Sequence, residues 1–158
     1  MSRLLEFIIE SNRIESIFSE ERAEAEVPAY QKFLAEKTLN YEALLDLLKV
    51  IAPTFEYRGY LYENGVRDKE GMNVSVGVHR PPPGGPEVET ALVNLLAKIR
   101  EGLLTPYMAH IEYETLHPFM DGNGRTGRAV WLYQMQRKQR ASAGFLHEWY
   151  YQSLQGAR

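Results

Sequence analysis

Cysteine is absent from the 158 residues. That excludes a disulfide framework, a thiolate metal site and a cysteine nucleophile, and it fits a reducing compartment. No apolar run approaches the roughly 20 residues needed to span a bilayer. The N-terminal run Leu4-Leu5-Glu6-Phe7-Ile8-Ile9 is broken by Glu6, and no small-residue cleavage pattern follows it. Repeats and low-complexity tracts are missing too. What remains is an ordinary globular balance, 44% hydrophobic and 25% charged, which argues against disorder throughout. The length allows one domain, or two very small ones.

The net charge of −3 hides an asymmetry. Residues 1–26 carry seven glutamates against three arginines, whereas residues 117–158 carry six Lys or Arg against Asp121 and Glu148. A basic C-terminal third points to an anionic ligand such as a phosphate or nucleic acid. The Arg137-Lys138-Gln139-Arg140 run reads instead as a solvated helix face.

The strongest break in the chain is Pro81-Pro82-Pro83-Gly84-Gly85-Pro86, which neither a helix nor a central strand can contain. Ahead of it, Ala43–Ile51 carries a helical leucine stripe that ends at Pro53. Residues 66–80 alternate Val74, Val76 and Val78 with small polar residues and hold the turn Asp68-Lys69-Glu70-Gly71, which predicts a small hairpin. Beyond the prolines, helices are expected over 87–101, from the Thr105 N-cap with Pro106 to about Leu116, from near Asn123 through Met135, and over 144–155. The expected fold class is mainly α with one small β-hairpin.

Residues 117–128, His-Pro-Phe-Met-Asp-Gly-Asn-Gly-Arg-Thr-Gly-Arg, gather a base, a carboxylate, three glycines and two arginines between two helices. Glycines let backbone N–H groups turn inward, and a following helix start adds its positive end, so the loop is an anion cradle. Arg125 and Arg128, three apart, leave one side of a helix and can grip two phosphates. Asp121 suits Mg²⁺, which takes one or two carboxylates plus phosphate oxygens. His117 can accept a hydroxyl proton near neutral pH. Together these specify transfer from a nucleotide to an –OH. The glycines also spell G-x-G-x-x-G, but no buried strand precedes them, and Arg128-Ala129 stand where a Walker A loop needs Lys-Ser/Thr, so both readings are rejected. His110, Glu114 and His117 share one helical face at zinc-like spacing. For His110 and Glu114 the favoured reading is that they are buried groups orienting the loop.

Residues 117–128 resemble the Fic family (Fic/Doc fold), whose motif HPFx(D/E)GNGRxxR they match at every specified position. The resemblance extends to residues 109–119 as an upstream helix, 66–83 as an arginine-containing flap hairpin, and 149–155 as a C-terminal helix, roughly residues 40–158 in all. It implies a Fic-type helical bundle and a protein adenylyltransferase that moves AMP from ATP to a Tyr, Ser or Thr hydroxyl. His117 would be the general base and Asp121 the Mg²⁺ ligand, with Mn²⁺ as an alternative ion. Gly122, Asn123 and Gly124 would hold the inner phosphates and Arg125 and Arg128 the outer ones. Phe119 would anchor the loop, and Tyr150 would border the adenosine. Arg158 stands where many relatives have Asn. Val74, Ser75, Val76 and Gly77 would dock the target by strand addition. Doc-type members carry Ala and Lys where this chain has Gly122 and Gly124, so AMP transfer is favoured over phosphate transfer.

Ser11–Ser16 resembles the family's inhibitory pattern (S/T)xxxE(G/N), with Ser16 in place of Gly or Asn. Ser11 and Glu15 would share a helical face, and Glu15 would pair with Arg128 where the γ-phosphate must sit. The expected division is an inhibitory region over 1–25 and a catalytic core over 26–158. Alternatives are a metal-dependent hydrolase using His110, Glu114 and His117, a de-AMPylase in which Glu15 positions water, and a non-catalytic interaction module. The expected partners are ATP and an unidentified protein target. Self-modification and a homodimer are further expectations, and neither membrane nor nucleic acid is expected. The chain is expected to be cytoplasmic, with delivery into a host cell left open.

Overall fold

Side-chain oxygens start four of the helices by accepting from a backbone N–H of the first turn, the role for which Ser, Thr and Asn are suited. The computed structural model describes residues 2–68 and 77–138. Ser2 caps α1 (Arg3–Ile14), Ser19 caps α2 (Glu20–Ala35), Asn40 caps α3 (Tyr41–Ile51) and Thr105 caps α5 (Pro106–Leu116). Proline at the first position opens α4 (Pro86–Arg100). The last described helix, α6 (Asn123–Arg137), opens on Gly122 without any side-chain cap. The helices expected over 43–51, 87–101, 105–116 and from Asn123 are therefore present, within a residue or two at each end.

A two-stranded sheet follows α3, in a stretch the sequence reading left unassigned. Most of the hairpin expected within 66–80 lies outside the described residues, and the described hairpin consists of β1 (Thr54–Tyr57) and β2 (Tyr60–Glu63), paired antiparallel with Tyr57 opposite Tyr60. Its two-residue turn, Arg58-Gly59, has both φ angles positive, +50° and +83°, the conformation that matches strand twist. Stacked Phe55 and Tyr62, ring centroids 5.4 Å apart, reinforce the pair. Val66 instead forms a single antiparallel bridge with Phe119. Val74, Ser75 and Val76, the turn from Lys69 onward, the helix over 144–155, Tyr150 and Arg158 lie outside the described residues. Residues 25 and 26, the expected division of the chain, both fall within α2.

Helix α1 ends in a Schellman motif. Ile17 N donates to Asn12 O at 3.0 Å and Ser16 N to Arg13 O at 2.9 Å, which satisfies two terminal carbonyls. The motif places Ser16 at φ +60°, the left-handed position that Gly or Asn favours. The Gly or Asn of the pattern that Ser11–Ser16 resembles would suit this same conformation. Ser16→Gly is expected to stabilise the fold by about 1 kcal/mol, read as a rise in Tm of about 2–4 °C by calorimetry.

Helix α6 runs through the middle of the bundle and touches α1, α2, α3 and α5. Ile8, Leu44, Leu48, Leu92, Tyr113 and Phe119 form part of the apolar core around it. Each such side chain contributes roughly 1.5–3 kcal/mol by burial. Yet the first turns of α6 bury Arg125, Thr126 and Arg128, exposed by 3%, 0% and 0%. Arginine is almost never fully buried unless paired, and this end of the core is where chemistry is to be sought. At the other end, exposed Arg137 lies over the Tyr133 ring and donates to the carbonyls of Leu34 and Glu36. It thereby ties α6 to the last turn of α2 rather than standing free in solvent.

Candidate active site

The loop between α5 and α6 is built from the backbone outward. Pro118 prevents α5 from continuing, and His117 closes it in the left-handed region at φ +48°, ψ +64°, its N–H still donating to Tyr113 O at 2.9 Å. Phe119, fully buried, anchors the loop in the core as expected. Asn123 locks the loop: its Oδ1 accepts from Phe119 N at 2.8 Å and its Nδ2 donates to Phe119 O at 2.7 Å. Both polar atoms of that side chain thus serve the loop's own shape. Thr126 Oγ1 donates back to Gly122 O at 2.8 Å and lies 2.6 Å from the Tyr113 hydroxyl. Burial pushes the Tyr113 phenol well above its ordinary range, so it serves here as a neutral hydrogen-bonding group.

Gly122 precedes α6 at φ +78°, and a Cβ there would stand 2.8 Å from Leu48 Cδ1. Glycine is required on both counts. With no side chain capping α6, the N–H groups of its first turn point into the loop at the positive end of the helix, an arrangement suited to phosphate. The Asp121 carboxylate is about half-exposed. One of its oxygens accepts from Gly122 N at 2.8 Å and stands 3.5 Å from Arg125 Nη2. A single half-exposed carboxylate beside an anion cradle fits Mg²⁺, which completes its shell with water and phosphate oxygens.

The two motif arginines are held differently. Arg125 Nη1 donates to Ile51 O at 2.7 Å, at the negative end of α3, and the same carbonyl accepts from Arg22 Nη2 at 2.8 Å. Arg128 is taken by α1. Its Nε donates to Ser11 Oγ at 2.7 Å, and its Nη2 donates to Ser11 O at 2.9 Å and to Glu15 Oε1 at 2.8 Å. The Glu15 carboxylate also reaches the loop itself, since a Cβ at Gly124 would collide with Glu15 Oε1. Helix α1 is fastened behind this contact: Asn12 Nδ2 donates to Glu26 Oε1 at 2.7 Å, with both residues buried. The structure therefore brings Ser11 and Glu15 onto the same loop as residues 117–128, more than a hundred residues away in sequence.

His110 and Glu114 support α6. His110 Nδ1 lies 3.2 Å from Gly127 O and its Nε2 lies 3.9 Å from Glu114 Oε1, and a Cβ at Gly127 would run into Glu114 Oε1. Among the described residues no three His, Asp or Glu side chains are placed to share a metal ion. The zinc arrangement of His110, Glu114 and His117 is accordingly not formed, and the loop-orienting reading matches the geometry. No described helix is long and apolar enough to cross a membrane.

Three contacts near His117 escaped the sequence reading. Arg67 Nε donates to His117 O at 2.6 Å, Arg67 Nη2 to Leu116 O at 3.1 Å, and His79 Nε2 to Thr115 O at 2.9 Å. In addition, Asn64 Nδ2 donates to Asp121 O at 3.0 Å. Periodicity carries no trace of a side chain that reaches backbone carbonyls fifty residues away. The family model described as Fic/DOC family matches residues 38–135, more than half of the chain, and that span takes in the whole loop.

Proposed function

The chain belongs to the Fic/DOC family, and from that premise we propose that it is a protein adenylyltransferase, moving AMP from ATP to a protein hydroxyl under the restraint of Glu15. The observation that carries the reading is the pairing of a candidate base, His117 at the C-terminal end of α5, with a helix start that no side chain caps, separated by a loop whose shape is fixed by Asn123 and Gly122. Backbone N–H groups at the start of α6 would receive the α- and β-phosphates. Arg125 and Arg128 would take the outer oxygens. Mg²⁺ on Asp121 would supply positive charge that offsets the phosphates' own.

The neutral imidazole of His117 accepts the proton of the incoming hydroxyl, whose oxygen forms a bond to the α-phosphorus. The bond from that phosphorus to the bridging oxygen breaks on the opposite side, and pyrophosphate leaves with the electron pair. The target carries AMP through a phosphodiester. Catalysis of this kind rests on positioning and charge stabilisation. A glycine at 124 leaves room for the phosphates where a longer side chain would fill the cradle. Val74–Gly77 would align the target by backbone pairing, which makes the target's local sequence a minor determinant.

The test is incubation of the Glu15→Gly variant with Mg²⁺, cell lysate and ATP labelled at either the α- or the γ-phosphate. Label retained on protein from the α position alone is the expected result. Label retained from the γ position alone means phosphate transfer and overturns the reading, and label from neither position overturns enzymatic transfer.

A further inference from the structure

We propose that Arg67 and His79 are positioning residues that fix the closing turn of the base helix α5 and, with it, the backbone of His117. This inference rests on the adenylyltransferase reading above. Three successive carbonyls close α5, those of Thr115, Leu116 and His117, and none has a helical N–H ahead of it. Two side chains take all three: His79 donates to Thr115 O, and Arg67 bridges Leu116 O and His117 O. The backbone joins in, with Arg67 N donating to Pro118 O at 2.8 Å and Gly85 N to Arg67 O at 3.0 Å.

The energetics of Arg67 are unusual for a merely structural side chain. It is 1% exposed, has no ion pair among the described residues, and leaves Nη1 without a hydrogen bond. A buried cation with no carboxylate partner is costly. Burial indeed pushes its guanidinium pKa down. What compensates it is the negative end of α5, whose carbonyl dipoles converge on the same point. The return for that cost is conformational. His117 is one of three non-glycine residues with positive φ among those described, a state that persists only when its surroundings impose it. Arg67, gripping the carbonyl of that very residue, supplies the constraint. An incoming hydroxyl would then meet an imidazole whose backbone is fixed in one conformation.

The test uses Arg67→Met, Arg67→Lys, His79→Ala and His79→Gln, each in the Glu15→Gly background. Thermal unfolding first identifies the variants that fold, and Arg67→Lys serves if Arg67→Met does not. Transfer from α-labelled ATP is expected to slow about a hundredfold in Arg67→Met, the usual cost of ångström-scale misplacement, with the Kd for ATP unchanged. His79→Gln, which keeps an N–H donor, should recover most of what His79→Ala loses. Equal weakening of ATP binding and transfer would mean general loosening and overturn the proposal. Independently of activity, a crystal structure of the Arg67 variant is expected to show His117 relaxed to negative φ. Retention of φ near +48° overturns the proposal even if transfer is slow. Absence of label in the Glu15→Gly parent would instead fault the adenylyltransferase reading, while the His117 conformation still decides the role of Arg67.

Discussion

Replacing Glu15 by glycine is expected to tighten ATP binding by on the order of tenfold to a hundredfold and to raise transfer with it. Glu15 and the γ-phosphate would compete for a single guanidinium. Arg128 is wholly buried and already makes three hydrogen bonds to α1, one of them to the Glu15 carboxylate at 2.8 Å. A γ-phosphate that sought the same nitrogen would have to displace a carboxylate and then sit beside it. Hydrogen bonds to charged groups contribute roughly 1.5–3 kcal/mol, which converts to the stated range of affinity. The carboxylate is aimed at Gly124 as well, so it obstructs the cradle and not the arginine alone. Ser11 retains two of the three bonds in the variant. The nucleotide-free protein should therefore lose some thermal stability without unfolding, and ATP should restore it through its binding to the native state. Calorimetric titration and thermal scans with and without ATP read both effects. Unchanged ATP affinity in a folded Glu15→Gly protein would contradict the restraint.

His117→Ala in that released background is expected to lower transfer by about 10²–10⁴-fold, the range general-base catalysis supplies, while ATP binding stays intact. In the proposed reaction the imidazole would serve the hydroxyl of the target rather than the phosphates, so its loss would remove a step and spare an affinity. Two structural facts make the substitution a clean one. The carbonyl of residue 117 is held by Arg67 whatever the side chain, and the loop is closed by Asn123 on Phe119. Alanine at φ +48° carries a cost of roughly 1–2 kcal/mol beyond that already present for histidine at most, which calorimetry would register as a small fall in Tm. A parallel loss of ATP affinity would move His117 from the reaction to the binding of nucleotide.

The parts of this molecule that could be read ahead of structure are those in which local chemistry dictates the outcome. Thr105-Pro106 fixed the start of α5, the leucines of residues 44–51 fixed α3, and the glycines and charges of 117–128 announced an anion loop. Valine alternation and an Asp-to-Gly turn made 66–80 the visible hairpin signal, and most of that segment lies outside the described residues. The pair at Thr54–Glu63 instead relies on Arg58-Gly59, whose left-handed turn is less obvious in an arginine. Ser16 looked like a departure from the inhibitory pattern, and the Schellman motif explains what the position demands. The clamp of Arg67 and His79 on α5 was out of reach, because nothing in a linear sequence marks which side chain will cap carbonyls on a distant helix. The same holds for Ile51, whose carbonyl receives both Arg22 and Arg125.

A crystal structure of Glu15→Gly with Mg²⁺ and a non-hydrolysable ATP analogue examines the central claim at its source. The expected density has the inner phosphates on the backbone N–H groups at the start of α6, the γ-phosphate on Arg128, and the imidazole of His117 in line to receive a proton from a hydroxyl approaching the α-phosphorus. A nucleotide bound at another face of the bundle, with residues 117–128 unchanged and Arg128 still on Ser11, would contradict it.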